Sequence, residues 1–212
     1  MKYNIISTGS KGNATIINDI ILIDCGVAYG KIEPHISGLK LVLLTHIHGD
    51  HFHPMTIKRI AKMRPTLRFG CCKWLVKPLM ELGVQKWRID VYVPNTVNAY
   101  NSKLKVEAVE LYHDVPNCGY KILCDGEKIF YATDTNSLYG ITAPDYDLYL
   151  IEANYDDEEI HKRIRAKEAE GIFPYEYRVM KTHLSKTKCD EFLTQNAGEN
   201  SKFEYMHGHI EK

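Results

Sequence analysis

The stretch LLTHIHGDHFHP, residues 43–54, sets four histidines and an aspartate directly after an apolar run. In an extended segment, side chains two positions apart point the same way, so His46 and His48 can converge on one ion. Gly49 loosens the following turn, which can swing Asp50 and His51 toward a second ion. Imidazole nitrogen and carboxylate oxygen suit zinc, manganese or iron. A merely solvated turn would not need five such residues at this spacing behind a buried strand.

Working outward, the first half of the chain reads as strands separated by tight turns: YNIIS, ATIIN, IILID and LKLVLLT. Asn18-Asp19 is a hairpin signal. Helical periodicity follows in PMTIKRIAKM and in KWLVKPLMELG, the latter interrupted by Pro78 and stopped by Gly83. From residue 87 strands return as WRIDVYV, LKVEAVELY, GYKILC, KIFYATD and DLYLIEA. The segment 156–171 reads as a helix, acidic at its start and basic later, in keeping with the helix dipole. SKTKCDEFLTQN is another helix, capped by Ser185, and KFEYM a final strand. Blocks of strands and helices with little strict alternation predict an α+β fold of two sheets packed together with helices outside. Nothing in the composition divides residues 1–212, so the expectation is a single domain.

Two further ligands fall at the tips of apolar runs. His113 follows VEAVELY and completes a first metal set with His46 and His48; Asp134 follows KIFYAT and can bridge both ions.

Lysine and arginine total 27 against 27 aspartates and glutamates. That balance weighs against a dedicated duplex binder, which needs a basic field, and leaves phosphate esters open. Six cysteines without a C-x-x-C pair, no signal peptide and no long apolar run predict a reduced, cytoplasmic protein with no membrane segment.

The pattern T-H-x-H-x-D-H, with a later histidine, an aspartate after a strand and a C-terminal histidine, resembles the metallo-β-lactamase superfamily. STGSKGNA (7–14), LIDCG (22–26), HDVPNCGY (113–120), YATDT (131–135), IEANYD (151–156) and HLS (183–185) are similar to small bacterial and phage exonucleases of the YycJ type. The resemblance implies a four-layer αβ/βα sandwich with two divalent ions, zinc or manganese. Two histidines compete for the last ligand position, His183 and His207, with His209 a third candidate. MHGH at 206–209 resembles the VHGE string of ribonuclease J relatives. That likeness assigns His207 to the second metal, with Asp50 and His51, and His183 to substrate phosphate or proton transfer.

Lactamases of this superfamily use a cysteine ligand that has no counterpart here, and flavodiiron proteins carry H-x-E where His48 stands. Phosphodiester hydrolysis by a metal-bridging hydroxide is therefore the expected reaction. Asp50, Asp134 and His183 are its candidate catalytic residues, and Ser10, Lys11, Asn13, Asn154 and His183 the candidates for contact with substrate. Glu152, near the end of DLYLIEA, is as readily structural as functional. The expected substrate is DNA, cut from its 5′ end; small cyclic nucleotides are the alternative. Basic residues around His183, from Lys162 to Lys188, can track a nucleic-acid backbone or face water. Trp74, Trp87, Tyr92 and Tyr100 can stack on a base or belong to the core. The sequence leaves the oligomeric state open, a homodimer included.

Overall fold

The computed structural model describes residues 1–208. The chain divides into two units, Met1–Ala108 and Val109 onward.

The first unit is built on a six-stranded sheet in chain order: β1 (Tyr3–Ser7), β2 (Ala14–Ile17), β3 (Ile21–Ile23), β4 (Leu41–Leu44), β5 (Arg68–Cys72) and β6 (Ile89–Tyr92). The first three strands are antiparallel, and β3 to β6 run parallel. Every residue of β2, β3 and β4 is buried, as apolar runs covered on both faces must be. Helix α1 (Tyr29–Ile32) and α2 (Pro54–Met63) pack together, and Ile32, Ile57 and Ile60 join Val42, Leu44 and Phe69 in one core. Pro78 does not break the next helix; it lies in the first turn of α3 (Val76–Glu81), where its missing N–H costs nothing. A 3-10 turn, Lys73–Leu75, precedes α3, and Gly83, at φ +90°, follows it.

The second sheet has the order β12-β11-β10-β9-β8-β7. Its members are β7 (Val97–Ala99), β8 (Leu104–Leu111), β9 (Asn117–Cys124), β10 (Glu127–Ala132), β11 (Leu148–Glu152) and β12 (Lys202–Met206). Strand β9 is antiparallel to β10, whereas β10, β11 and β12 run parallel. Three helices complete the second unit: α4 (Asp157–Ala169), α5 (Glu176–Thr182) and α6 (Lys186–Asn196). Asp156 caps α4 by accepting from the N–H groups of Glu158 and Glu159, and Ser185 caps α6. The core of this unit sets Cys189, Phe192 and Leu193 of α6 against Phe130, Tyr149 and Ile151.

One backbone crossing fixes the histidine-rich loop. Asn13 N–H donates to the Asp50 carbonyl at 2.6 Å, Cys25 N–H to the His51 carbonyl at 2.8 Å, and Gly26 N–H to the Asn13 carbonyl at 2.9 Å. A Cβ on Gly26 would lie 1.6 Å from the Asp50 carbonyl oxygen, so only glycine admits this approach. Gly26→Ala should therefore lower unfolding stability by about 3 kcal/mol or more, because the obstacle is backbone that cannot swing away. A urea midpoint within error of wild type would refute that reading.

Candidate metal centre

In the first unit, the fully buried carboxylate of Asp24 organises the loop. It accepts from the Thr45 N–H at 3.0 Å, from the Thr45 hydroxyl at 3.0 Å and from His51 Nδ1 at 2.7 Å. A carboxylate at that distance holds the His51 proton on Nδ1 and leaves the lone pair on Nε2. The Thr45 hydroxyl is also 3.0 Å from His46 Nδ1. Having one proton and donating it to Asp24, that hydroxyl can only accept from His46, which directs the His46 lone pair to Nε2 as well. The ring centroids of His46 and His48 are 4.9 Å apart, and those of His46 and His51 4.3 Å. Asp50 Oδ2 lies 3.9 Å from His51 Nε2. The loop thus gathers lone-pair-bearing nitrogens and a carboxylate, a donor set that fits a zinc- or manganese-type ion.

Asp24→Asn keeps the shape but loosens the hold on the His51 proton and, through Thr45, on the orientation of His46. Metal affinity should fall about 10- to 100-fold, read by titrating the stripped protein against a competing chelator. Unchanged affinity would show that this carboxylate does not hold the ligands.

In the second unit, one ligand atom from each of Asp134, Glu152, His183 and His207 lies within 4.8 Å of the others. Asp134 Oδ1 is 3.4 Å from His183 Nδ1 and 3.5 Å from His207 Nε2. Its turn is held by Asn117, whose amide donates to the carbonyls of Thr133 and Asp134 at 3.0 and 2.6 Å. His113 Nδ1 is 2.9 Å from the Thr182 carbonyl, which can only accept. The His113 proton therefore sits on Nδ1 and the lone pair on Nε2. Burial pushes the His113 imidazole below its ordinary value, outweighing the opposite pull of Asp134, the Thr182 carbonyl and Asp114. The neutral ring is the ligand form.

Asp24, Asp134 and His207 have φ of +61°, +56° and +54°. Left-handed backbone is uncommon for a residue other than glycine and costs about 1–3 kcal/mol, and it collects where side chains must be aimed.

Glu152 is the residue that sequence reasoning undervalues. It is fully buried at the end of β11. Oε2 accepts from the N–H groups of Thr135 at 2.9 Å and Leu184 at 3.2 Å, and Oε1 is 2.6 Å from His183 Nδ1. The signal is an acid closing a strand that is otherwise wholly apolar, where an ionised group needs several donors.

The expected substrate contacts lie in different settings. Ser10 and Lys11 are exposed on the β1–β2 turn. Asn13 is fully buried, its amide donating to the carbonyls of Gly9 and Asp50 and lying 2.7 Å from His51 Nε2. Asn154 is buried too, with its amide on the His207 carbonyl at 2.9 Å and 3.0 Å from His207 Nδ1. Both asparagines thereby contact candidate ligands, Asn13 beside His51 and Asn154 on His207. His209 lies outside the described residues. His53 caps α2, accepting from Thr56 N–H. Tyr92 and Tyr100 form a hydrogen-bonded pair anchored on Asp90, Trp74 donates to the Thr45 carbonyl, and Trp87 is exposed. Much of the basic cluster is matched: Arg163 by Glu159, Lys167 by Glu176, Arg178 by Asp114 and Lys186 by Asp190.

Residues 20–170 match the beta-lactamase superfamily domain, and the chain belongs to that superfamily, whose members include metal-dependent nucleases and phosphodiesterases. Its two mixed sheets and their helices are those of the metallo-β-lactamase fold. The chain is similar over its whole length to the exodeoxyribonuclease WalJ of Streptococcus pneumoniae, at 25% identity and covering 82% of that protein. Among solved structures it is similar to the metallo-β-lactamase fold protein YhfI of Bacillus subtilis, with TM-score 0.74, 16% identity and coverage of 99% of this chain and 87% of that one. The short form of human tRNase Z gives TM-score 0.68 at 18% identity, covering 98% of this chain and 93% of that one.

Proposed function

We propose that this chain is a divalent-metal-dependent phosphodiester hydrolase that cuts DNA from its 5′ end, as a single domain spanning residues 1–212. His46, His48, Asp50, His51, His113, Asp134 and His207 would hold two ions, zinc or manganese. The observation that carries the reading is the buried Glu152 carboxylate 2.6 Å from His183 Nδ1, beside Asp134 and His207. Bound ions would supply a hydroxide near neutral pH and offset charge on the phosphoryl oxygens.

The residues of the chain do the rest. Asp24, directly and through Thr45, keeps His51 and His46 in the tautomers that present Nε2. Glu152 fixes the His183 proton on Nδ1 and steadies the imidazolium that forms when Nε2 is protonated. From Nε2, His183 can then hydrogen-bond a phosphate oxygen or give a proton to the departing oxygen. Asn117 keeps the Asp134 turn in place.

DNA as substrate is favoured by the likeness to an exodeoxyribonuclease. Hydrolysis of small cyclic nucleotides is the second reading, favoured by the equal totals of basic and acidic residues and by a basic cluster largely answered by carboxylates. All six cysteines are buried thiols, which supports a reducing, cytoplasmic setting. Among the described residues no helix is long and apolar enough to cross a membrane.

End-labelled single-stranded and gapped oligonucleotides run beside cyclic mononucleotides separate the two readings. Stepwise release from the 5′ end is the expected result. Turnover of cyclic nucleotides with DNA untouched would install the second reading.

A further inference from the structure

A half-enclosed cavity of about 190 Å³ opens at the C-terminal ends of β11 and β12. Asn154, whose amide binds His207, and Gly208, which follows His207, both line it. It therefore adjoins the Asp134–His207 cluster. Its apolar wall is Ile160 of α4 and Val179 of α5, with the rings of Tyr155 and Tyr175.

Size and charge restrict what fits. The space exceeds the roughly 30 Å³ of a water several-fold yet falls below the roughly 300–1,000 Å³ of pockets that enclose a drug-sized ligand. One ring system is the right scale. Three carboxylates line the cavity (Asp156, Glu159 and Glu176) against two cations (Arg163 and Lys186). Arg163 is paired with Glu159, and Lys186 is 2.8 Å from Asp190. An anion gains nothing here, so this is not a second phosphate site. The carboxylates are engaged too, Glu159 with Arg163, Glu176 with Lys167 and Asp156 with the first N–H groups of α4, but an ionised carboxylate keeps further lone pairs. A neutral planar ring with N–H donors therefore meets aromatic faces and carboxylate oxygens. Burial pushes the half-buried Tyr155 hydroxyl up to about 12, so it remains neutral at physiological pH. The α4–α5 connection adds exposed aromatics beyond Tyr175: Phe173 is 83% exposed, and its ring centroid is 6.3 Å from that of Tyr177. Such a strip suits sequence-tolerant stacking of single-stranded bases.

We propose that this cavity seats the nucleobase adjoining the bond that is cut, a role that rests on the phosphodiester reading above. The base then anchors the substrate while its phosphate lies at the cluster of Asp134, His183 and His207.

The first test is binding without chemistry. Deoxynucleosides, which carry no phosphate, are titrated into the full chain by NMR, comparing wild type with Val179→Trp, which fills the cavity, and Tyr175→Ala, which removes an exposed wall. Saturable binding by wild type, weakened about 10-fold or more in either folded variant, is expected. No saturable binding, or equal binding by all three proteins, would overturn the proposal. The second test compares DNA ends bearing a normal or an abasic terminal nucleotide, with a cyclic mononucleotide as a parallel arm. The abasic end should lose about 10-fold in kcat/KM, and the arm that shows sensitivity to Val179→Trp identifies the source of the base. Nucleoside binding without any hydrolysis would leave a base-binding cavity but remove the phosphodiesterase reading and, with it, the cavity's place beside a cut bond. Hydrolysis indifferent to the base would remove the cavity's role alone.

Discussion

Replacing Asp134 should cost phosphodiester hydrolysis about 10³-fold or more and release close to one equivalent of metal, with the chain still folded. Its carboxylate approaches both His183, at 3.4 Å, and His207, at 3.5 Å. Removing it takes away a proposed ligand and the negative charge beside nearby imidazoles. The choice of substitute matters, because residue 134 has φ +56°. Alanine there adds backbone strain of about 1–2 kcal/mol, whereas asparagine tolerates the left-handed region. Asp134→Asn is thus the cleaner variant and should lose activity as completely as Asp134→Ala while melting closer to wild type. Retention of more than a tenth of the activity by Asp134→Asn would remove this residue from the centre of the account.

The second large effect concerns His183 and discriminates proton transfer from metal binding. His183→Ala should keep both metals and lose about 10²- to 10⁴-fold on substrates with a poor leaving group, such as DNA. On bis-p-nitrophenyl phosphate the loss should be small, because p-nitrophenolate departs without a proton. Glu152→Gln should show the same leaving-group pattern more weakly, since a neutral amide could still orient the ring but could not stabilise its cation. His207→Ala should behave oppositely, losing metal and recovering part of its activity in excess metal. If metal leaves the His183 variant and stays in the His207 variant, the two histidines have exchanged roles.

Much of this site can be read from the chain because its densest part is local. Residues 45–54 carry the ligand types, the glycine that opens the turn and the proline that starts α2 within one short segment. The strands feeding it are apolar enough to be recognised by composition alone. Glu152 is harder, since its meaning depends on His183, Thr135 and Leu184, brought to it only by the fold. The setting of Asn13 is hard to read for the opposite reason. Its glycine-rich turn looks like an anion nest, yet the close approach of Gly26 to Asp50 draws the asparagine inward. Strand β5, RFGCC, escapes notice because it is short, centred on the strand-weakening Gly70 and without β-branched residues, and its place between β4 and β6 makes it a strand. Helix α5 has neither a side-chain cap nor enough length to show a helical period.

The most direct measurement joins metal content to activity in one preparation. Purified protein should carry close to two equivalents of zinc or manganese. A chelator should abolish cleavage of 5′-end-labelled single-stranded DNA, and returning the metal should restore it. Full cleavage by a sample shown by elemental analysis to be metal-free would contradict the account at its centre.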